Sequence, residues 1–228
     1  QDRYSAHTLC VLANCFSLAG DHDAAIRFLR RATKQMRFMC YTHTLLGHEH
    51  FTLDDIDEAL QEYRHAMLIN PLHFNAWYGM GQVYMKQEQF AQAQHYFSVA
   101  IKINGNSSPL YVHLAMTLQN QEKYQEALDC LQTAISIQPN NLLARLKRAQ
   151  LHLSLQKTNE ALRELEFLRD KAPKEVQICV QLGKCYQQMG LRTQALHCFN
   201  LAMDLEAKEN QQIKQYIDKC LQHVDVEY

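Results

Sequence analysis

Glycine and proline are scarce in this sequence, which contains seven Gly and four Pro among 228 residues. An all-β protein uses these residues in its many turns, so their scarcity argues against that class and favours an all-α fold. No apolar run approaches the roughly 20 residues of a membrane-spanning helix. The 23 Lys and Arg residues are balanced by 24 Asp and Glu, which leaves no clustered positive charge for nucleic acid or an anionic membrane.

The eight cysteines show no Cys-x-x-Cys spacing, so zinc-ribbon and thioredoxin-like sites are not predicted. A chain of this length can bury its own core without disulfides, and we therefore expect reduced cysteines packed as small hydrophobic residues in an intracellular protein. The sequence begins with Gln1, without an initiator Met or a leader-like segment. We interpret it as a fragment of a longer protein.

A period of 34 residues, without insertions, organises the sequence. Small residues recur in phase in each period, and two of their series are Ala13, Gly47, Gly81, Ala115, Ala149, Gly183 and Ala25, Ala59, Ala93, Ala127, Ala161, Ala195. A fixed period of this length is typical of repeat architectures. The predicted repeats are residues 6–39, 40–73, 74–107, 108–141, 142–175 and 176–209.

Each repeat predicts two antiparallel amphipathic helices. In residues 74–107, large side chains such as Trp77 and Phe97 follow helical spacing on both sides of a short polar break at 87–89. The small residues allow close helix packing, so Leu in place of Gly81 should overpack the joint. Proline ends the second helix of three repeats, at Pro71, Pro139 and Pro173, whereas the same place holds Arg37, Gly105 and Ala207 in the others.

This pattern resembles the tetratricopeptide repeat over residues 6–209. The resemblance implies an all-α fold, a right-handed superhelix (solenoid) of six tetratricopeptide repeats whose first helices line a concave groove. Residues 210–221 place Ile213, Ile217 and Leu221 four apart, which predicts a C-terminal capping helix over the sixth repeat. A frayed polar tail, residues 222–228, is expected to follow. We expect residues 1–228 to form a single domain.

No converging cluster of catalytic side chains is evident, so we predict neither an enzyme nor a bound cofactor or metal. His48-Glu49-His50 looks like a metal motif, but helical residues two apart point in directions about 200° apart. The glycines at 79 and 81 lie inside a helix and fail the dinucleotide-binding pattern. We interpret the other histidines as exposed groups on helix faces, among them His22, His65, His95 and His197.

A stripe along the first helices combines aromatic and neutral polar side chains. Its members include Asn14, Tyr41, His48, Asn75, Tyr78 and Gln82. Aromatic anchors mixed with amides suit an extended peptide better than a rigid domain. The alternative interpretation is a solvated face that binds nothing.

The carboxylate clamp of tetratricopeptide co-chaperones would need Lys, Asn, Asn, Lys and Arg at five places in three successive repeats. No frame of this sequence offers two of those cations. A co-chaperone-type adaptor for another protein's C-terminal tail is therefore the alternative function, behind a peptide-tail receptor. An enzyme would require a catalytic domain outside this segment.

Glu49 stands at a place in the repeat that is normally small and packed towards the neighbouring helix. A carboxylate there should be partly desolvated and costly unless it has a partner. The first helix of the second repeat has no Lys or Arg to supply one. Two interpretations stay open. In the first, Glu49 has a partner within the chain, which is either a hydrogen-bonding Tyr or His nearby or an Arg elsewhere. In the second, Glu49 is a receptor for a ligand cation.

Several segments resemble one family in particular. Tyr41-Thr-His-Thr-Leu-Leu-Gly-His-Glu49, Asn75-Ala-Trp-Tyr-Gly79 and Ala202-Met-Asp-Leu205 are similar to the cell division cycle protein 27 family, tetratricopeptide subunits of the anaphase-promoting complex (cyclosome). The similarity matches the family's carboxy-terminal superhelix. It implies a non-catalytic, nuclear and cytoplasmic subunit of a ubiquitin ligase that contacts sister tetratricopeptide subunits.

The resemblance also implies a ligand, because the family's superhelix receives the C-terminal Ile-Arg tails of activator proteins and of a small core subunit. On this hypothesis Glu49 binds the Arg, and an apolar slot flanked by Tyr41, Leu45 and Tyr78 holds the Ile. The donors to the terminal carboxylate would be Asn14, His48, Asn75 and Gln82.

Overall fold

The computed structural model describes residues 5–205 and 210–222, and all regular structure in these ranges is helical. Compact packing divides the chain into two units, residues 1–123 and 124–228. Of the predicted tail at residues 222–228, residue 222 ends the last helix, and residues 223–228 lie outside the described residues, as does the expected turn residue Ala207. No helix within the described ranges is both long and apolar enough to cross a membrane.

The first unit contains seven helices over its described residues, 5–123. They are α1 Ala6–Leu18, α2 His22–Gln35, α3 Cys40–Thr52, α4 Ile56–Ile69, α5 Phe74–Lys86, α6 Phe90–Ile103 and α7 Ser108–Asn120. Helices α1 and α2, α3 and α4, and α5 and α6 pack as hairpins, and each second helix also packs on the next first helix. The first helices start where the 34-residue period places the start of a repeat.

The second unit contains six helices in its described part. They are α8 Tyr124–Ile137, α9 Leu142–Ser154, α10 Thr158–Lys171, α11 Val176–Gln188, α12 Arg192–Leu205 and α13 Gln211–Gln222. Helices α9 and α10 pair, as do α11 and α12, and α13 packs on α12 as the predicted cap. Ile213 is buried in that contact, but Leu221 is 49% exposed and Cys220 is buried instead. The ring of Tyr216 stacks on Phe199.

Glycines on the first helices make room for aromatic rings from the second helices. A Cβ atom added at Gly81 would lie 2.6 Å from Cε1 of Phe97, and Gly183 faces Phe199 in the same way. In α3 and α5, Gly47 and Gly79 both border the ring of Tyr63. The prediction that a larger residue at Gly81 would overpack this joint therefore has a definite contact partner.

The turns inside the hairpins share a left-handed residue that the sequence period did not reveal. Positive φ angles recur 34 residues apart, at Gly20, Asp54, Glu88, Glu122, Gln156 and Gly190. In the first turn, Gly20 N–H donates to Ser17 O at 3.0 Å and Asp21 N–H donates to Phe16 O at 2.9 Å. These bonds satisfy the carbonyl groups left open at the end of α1, the arrangement of a Schellman motif.

Candidate functional site

The predicted groove residues lie on α1, α3 and α5 of the first unit, in which α5 contacts both α3 and α7. Asn14, Leu45, His48, Asn75, Tyr78 and Gln82 are half-buried, whereas Tyr41 is 38% exposed and Glu49 is only 6% exposed. Leu45 packs against the core formed by α1, α2 and α3. The helices thus carry partly accessible polar side chains above an apolar layer.

Glu49 already has a hydrogen-bond partner within the chain. Its Oε2 atom lies 2.8 Å from Nδ1 of His22, at the start of α2. The prediction that His22 is an exposed helix-face group is therefore wrong, because its side chain is only 24% exposed and the carboxylate orders it. Of the two interpretations of Glu49, a hydrogen bond to a nearby histidine is present. No Lys or Arg in the described ranges forms an ion pair with Glu49.

His48 forms a second pair, with a tyrosine from the following helix. The hydroxyl of Tyr63 lies 2.8 Å from Nδ1 of His48, and the two rings meet edge to face at 5.4 Å. Burial lowers the pKa of His48, which the nearby Glu49 carboxylate partly offsets and His73 reinforces. Burial also raises the pKa of Tyr63, and nearby Tyr78 and Glu49 raise it further. Both groups are therefore neutral near pH 7.

Tyr78 and Gln82 form a third polar group, together with His113 from α7. The Tyr78 hydroxyl lies 2.8 Å from Nε2 of His113, and the side-chain amide of Gln82 donates to the same hydroxyl at 3.0 Å. Burial raises the pKa of Tyr78 to about 12. The hydroxyl is therefore a neutral donor and acceptor that the two neighbouring side chains hold in position.

Of the eight predicted residues, Tyr78 and Gln82 are joined directly by a hydrogen bond, whereas His48 and Glu49 contact Tyr63 and His22 instead. Asn14 and Asn75 make no side-chain hydrogen bond to another described residue. The partners of Glu49 and His48 come from the second helices: His22, which the sequence placed among exposed histidines, and Tyr63, which was not among the predicted residues. The glycines at 47 and 79 were a signal for Tyr63, because they leave space for a ring.

The two histidines of the motif His48-Glu49-His50 do not converge with the glutamate on one point. His48 contacts Tyr63, and Glu49 contacts His22. Nδ1 of His50 instead lies 3.3 Å from Oδ2 of Asp55. Each side chain of the motif therefore serves a different helix or turn.

Family models and sequence relatives agree on one family. The model for "Anaphase-promoting complex, cyclosome, subunit 3" matches residues 65–134, and tetratricopeptide repeat models match residues 118–178 and residues 6–35, 41–71 and 176–209. Anaphase-promoting complex subunit 3 of Schizosaccharomyces pombe is 36% identical over 94% of this chain and 32% of its own length. The Dictyostelium discoideum protein of the same name is 41% identical over 96% of this chain and 23% of its own length.

Cell division cycle protein 27 homolog B of Arabidopsis thaliana is 34% identical over 90% of this chain and 28% of its own length. The chain therefore spans about a third or less of these relatives. Among solved structures, the anaphase-promoting complex hetero-tetramer Cut9–Hcn1 is similar with a TM-score of 0.83 at 12% identity, over 95% of this chain and 43% of that one. The pilus biogenesis factor PilW reaches 0.82 at 14% identity, over 95% of this chain and 98% of that one. At such identities the likeness shows the fold alone, and it confirms the all-α tetratricopeptide class.

Proposed function

Because the chain belongs to the anaphase-promoting complex subunit 3 family, also called cell division cycle protein 27, we propose that it is a scaffold segment of that intracellular ubiquitin ligase. Its relatives' names place them in the complex, and the tetratricopeptide repeats that it shares with them form a non-catalytic fold. Sister tetratricopeptide subunits are the proposed partners of its other surfaces. The proposed location is nuclear and cytoplasmic, and residues 1–228 are proposed to act as one domain.

We further propose that α1, α3 and α5 of the first unit bind the C-terminal Ile-Arg tails of activator proteins and of a small core subunit. The buried carboxylate of Glu49 carries this proposal. A carboxylate has two oxygens that accept hydrogen bonds, and the contact with His22 uses Oε2. The charge of a histidine depends on pH, whereas a guanidinium is permanently charged. A guanidinium is therefore the stronger hydrogen-bond partner for the Glu49 carboxylate.

The remaining predicted residues fit the other parts of such a tail. Tyr41, Leu45 and Tyr78 would flank the Ile side chain. His48, Gln82, Asn14 and Asn75 would donate to the terminal carboxylate. Neutral His48 has one ring N–H, which serves this purpose at Nε2 when the Tyr63 hydroxyl donates to Nδ1. A tail of two residues offers little contact area, so tight assembly would rely on several contacts and a high effective concentration.

Fluorescence anisotropy of labelled peptides tests the proposal. We expect binding of a peptide that ends in Ile-Arg with a free carboxylate, and weaker binding of its amidated form and of an Ile-Ala form. Equal binding of all three would contradict a tail receptor. A peptide that ends in acidic residues with a free carboxylate serves as the control for the co-chaperone alternative, because no frame of this sequence offers two of the cations that such a clamp requires.

A further inference from the structure

A second polar cluster lies away from the groove residues, between α3 and α4. His43 comes from α3, and Glu62 and His65 lie three residues apart on one face of α4. Nδ1 of His43 is 2.7 Å from Oε2 of Glu62, and the rings of His43 and His65 meet edge to face at 5.6 Å. One ligand atom of each side chain lies within 4.8 Å of the other two.

We propose that His43, Glu62 and His65 bind one divalent transition-metal ion of the zinc class. Two imidazoles and one carboxylate are a ligand set that Zn²⁺ uses when it keeps an open position for water. The same set disfavours Ca²⁺ and Mg²⁺, which prefer oxygen ligands throughout. Within the described ranges no other group of three His, Cys, Asp or Glu side chains meets this spacing.

The distances require only side-chain movement. Ligand atoms around tetrahedral Zn²⁺ lie roughly 3.3 Å apart, given metal–ligand bonds of about 2.0–2.1 Å. The His43–Glu62 hydrogen bond would open slightly, and His65 would turn towards the other two. His65 is exposed, so this rotation meets little packing resistance.

The site is accessible from water. His43 and His65 line a cleft of about 460 Å³, together with Lys34, Arg37 and Leu68 among others. The side chains of His43 and Glu62 are 15% and 23% exposed. Lys34 and Arg37 of the cleft repel a dication, and Glu62 supplies negative charge that offsets this repulsion. The Glu62 carboxylate should therefore contribute as much to metal affinity as the imidazoles do.

This inference does not rest on the proposed function, because the three residues are outside the predicted tail-binding set. The ligands come from two helices and are 19 and 3 residues apart, so they form no short motif such as His-Glu-x-x-His.

Titration with Co²⁺, followed by visible absorption in the presence of a non-thiol reductant, tests the site on the intact chain. Co²⁺ reports its ligands, and thiolate coordination adds a charge-transfer band that separates this cluster from the eight free cysteines. We expect one equivalent to bind without that band and to be displaced by Zn²⁺. Glu62→Gln and His65→Ala should each weaken binding about tenfold or more, since losing even an outer-shell partner costs ~10–100-fold.

His95→Ala is the matched control, because His95 is an exposed histidine on α6 that belongs to no such cluster. It should leave the affinity unchanged. Circular dichroism verifies that each variant is folded. Absence of Co²⁺ binding, binding only with the thiolate band, or equal affinity in His65→Ala would overturn the proposal.

Discussion

The ring of Phe97 lies against Gly81 so closely that a single added Cβ atom would come within 2.6 Å of it. The residue types at these two places are correlated in every repeat of the sequence. Where the first helix has Gly, the residue sixteen positions later is aromatic: Gly47 and Tyr63, Gly81 and Phe97, Gly183 and Phe199. Where it has Ala, that residue is Leu: Ala13 and Leu29, Ala115 and Leu131, Ala149 and Leu165. At the three glycine pairs the ring occupies the space that a Cβ atom would need, and the sequence pattern extends this to a volume rule in which a larger residue on the first helix goes with a smaller one sixteen positions later.

This volume rule predicts a compensating pair of substitutions. Gly81→Ala should destabilise the chain by about 1–3 kcal/mol through overpacking, and Phe97→Leu should destabilise it by leaving a cavity. The double variant restores the Ala–Leu pairing of other repeats, so its loss should be smaller than the sum of the two by at least about 1 kcal/mol. Urea unfolding of all four proteins measures this coupling. Additive losses would show that the two sites do not share a volume.

A left-handed turn residue predicts a stabilising substitution. Glu88 has φ of 59° and is exposed, and a non-glycine residue in this region costs roughly 1–2 kcal/mol relative to its preferred conformation. Glu88→Gly should therefore raise the free energy of unfolding by about 0.5–1 kcal/mol. This gain is smaller than the full conformational cost, because glycine loses more backbone entropy on folding than glutamate does. Gln61→Gly, at an exposed position inside α4, should instead lower it by about 1 kcal/mol. Thermal unfolding that shifts in the same direction for both would contradict the turn assignment.

Partly buried histidines predict that the chain loses stability in mild acid. Burial lowers the pKa of His48, His73 and His152 in the folded state, so the unfolded state takes up protons first as the pH falls below about 6.5. The free energy of unfolding should then fall with pH through that window and level off once the folded state also protonates. His48→Gln should flatten the slope. An NMR titration that places the pKa of His48 at or above that of a free histidine would refute the explanation.

A half-buried ion-pair cluster in the second unit predicts a larger effect than a surface pair. Glu164 binds Arg145 at 3.0 Å and also pairs with Arg148, and all three side chains are at most 17% exposed. The guanidinium of Arg145 also lies 4.1 Å above the ring of Phe167. Glu164→Gln should cost about 2 kcal/mol, because it leaves partly desolvated cations without their counter-charge.

The exposed pair of Lys86 and Asp54 is the matched comparison, with side chains 46% and 71% exposed. Asp54→Asn keeps a residue that tolerates the left-handed conformation and should change stability by less than about 0.5 kcal/mol. Similar losses for the two variants in denaturant unfolding would mean that burial does not set the strength of the Glu164 cluster.

Much of the fold could be predicted from the sequence, because a strict period fixes which residues share a helix face. The starts of the first helices and the small residues at the helix joints followed from it. The left-handed turns did not, since four of the six are occupied by Asp, Glu or Gln rather than Gly, and these residues carry no local signal. Leu221 was expected to pack in the cap, but Cys220 does so, because the exact rotation of a short helix depends on its neighbour.

The candidate site was predictable only in part, for a physical reason. The periodic stripe locates side chains of the first helices, whereas Glu49 and His48 are oriented by His22 and Tyr63 from the second helices. Those contacts join residues 27 and 15 positions apart, and they depend on how the hairpins pack. A single-helix pattern does not contain that information.

The most direct test of the tail-receptor proposal is a double-mutant cycle between Glu49 and the Arg of a peptide that ends in Ile-Arg. A charge-assisted hydrogen bond of about 1.5–3 kcal/mol predicts that Glu49→Gln weakens binding of the Ile-Arg peptide by roughly 10- to 150-fold. The same variant should leave the weaker Ile-Ala peptide unaffected. If Glu49→Gln weakens both peptides equally, or neither, then Glu49 serves His22 alone and the guanidinium binds elsewhere.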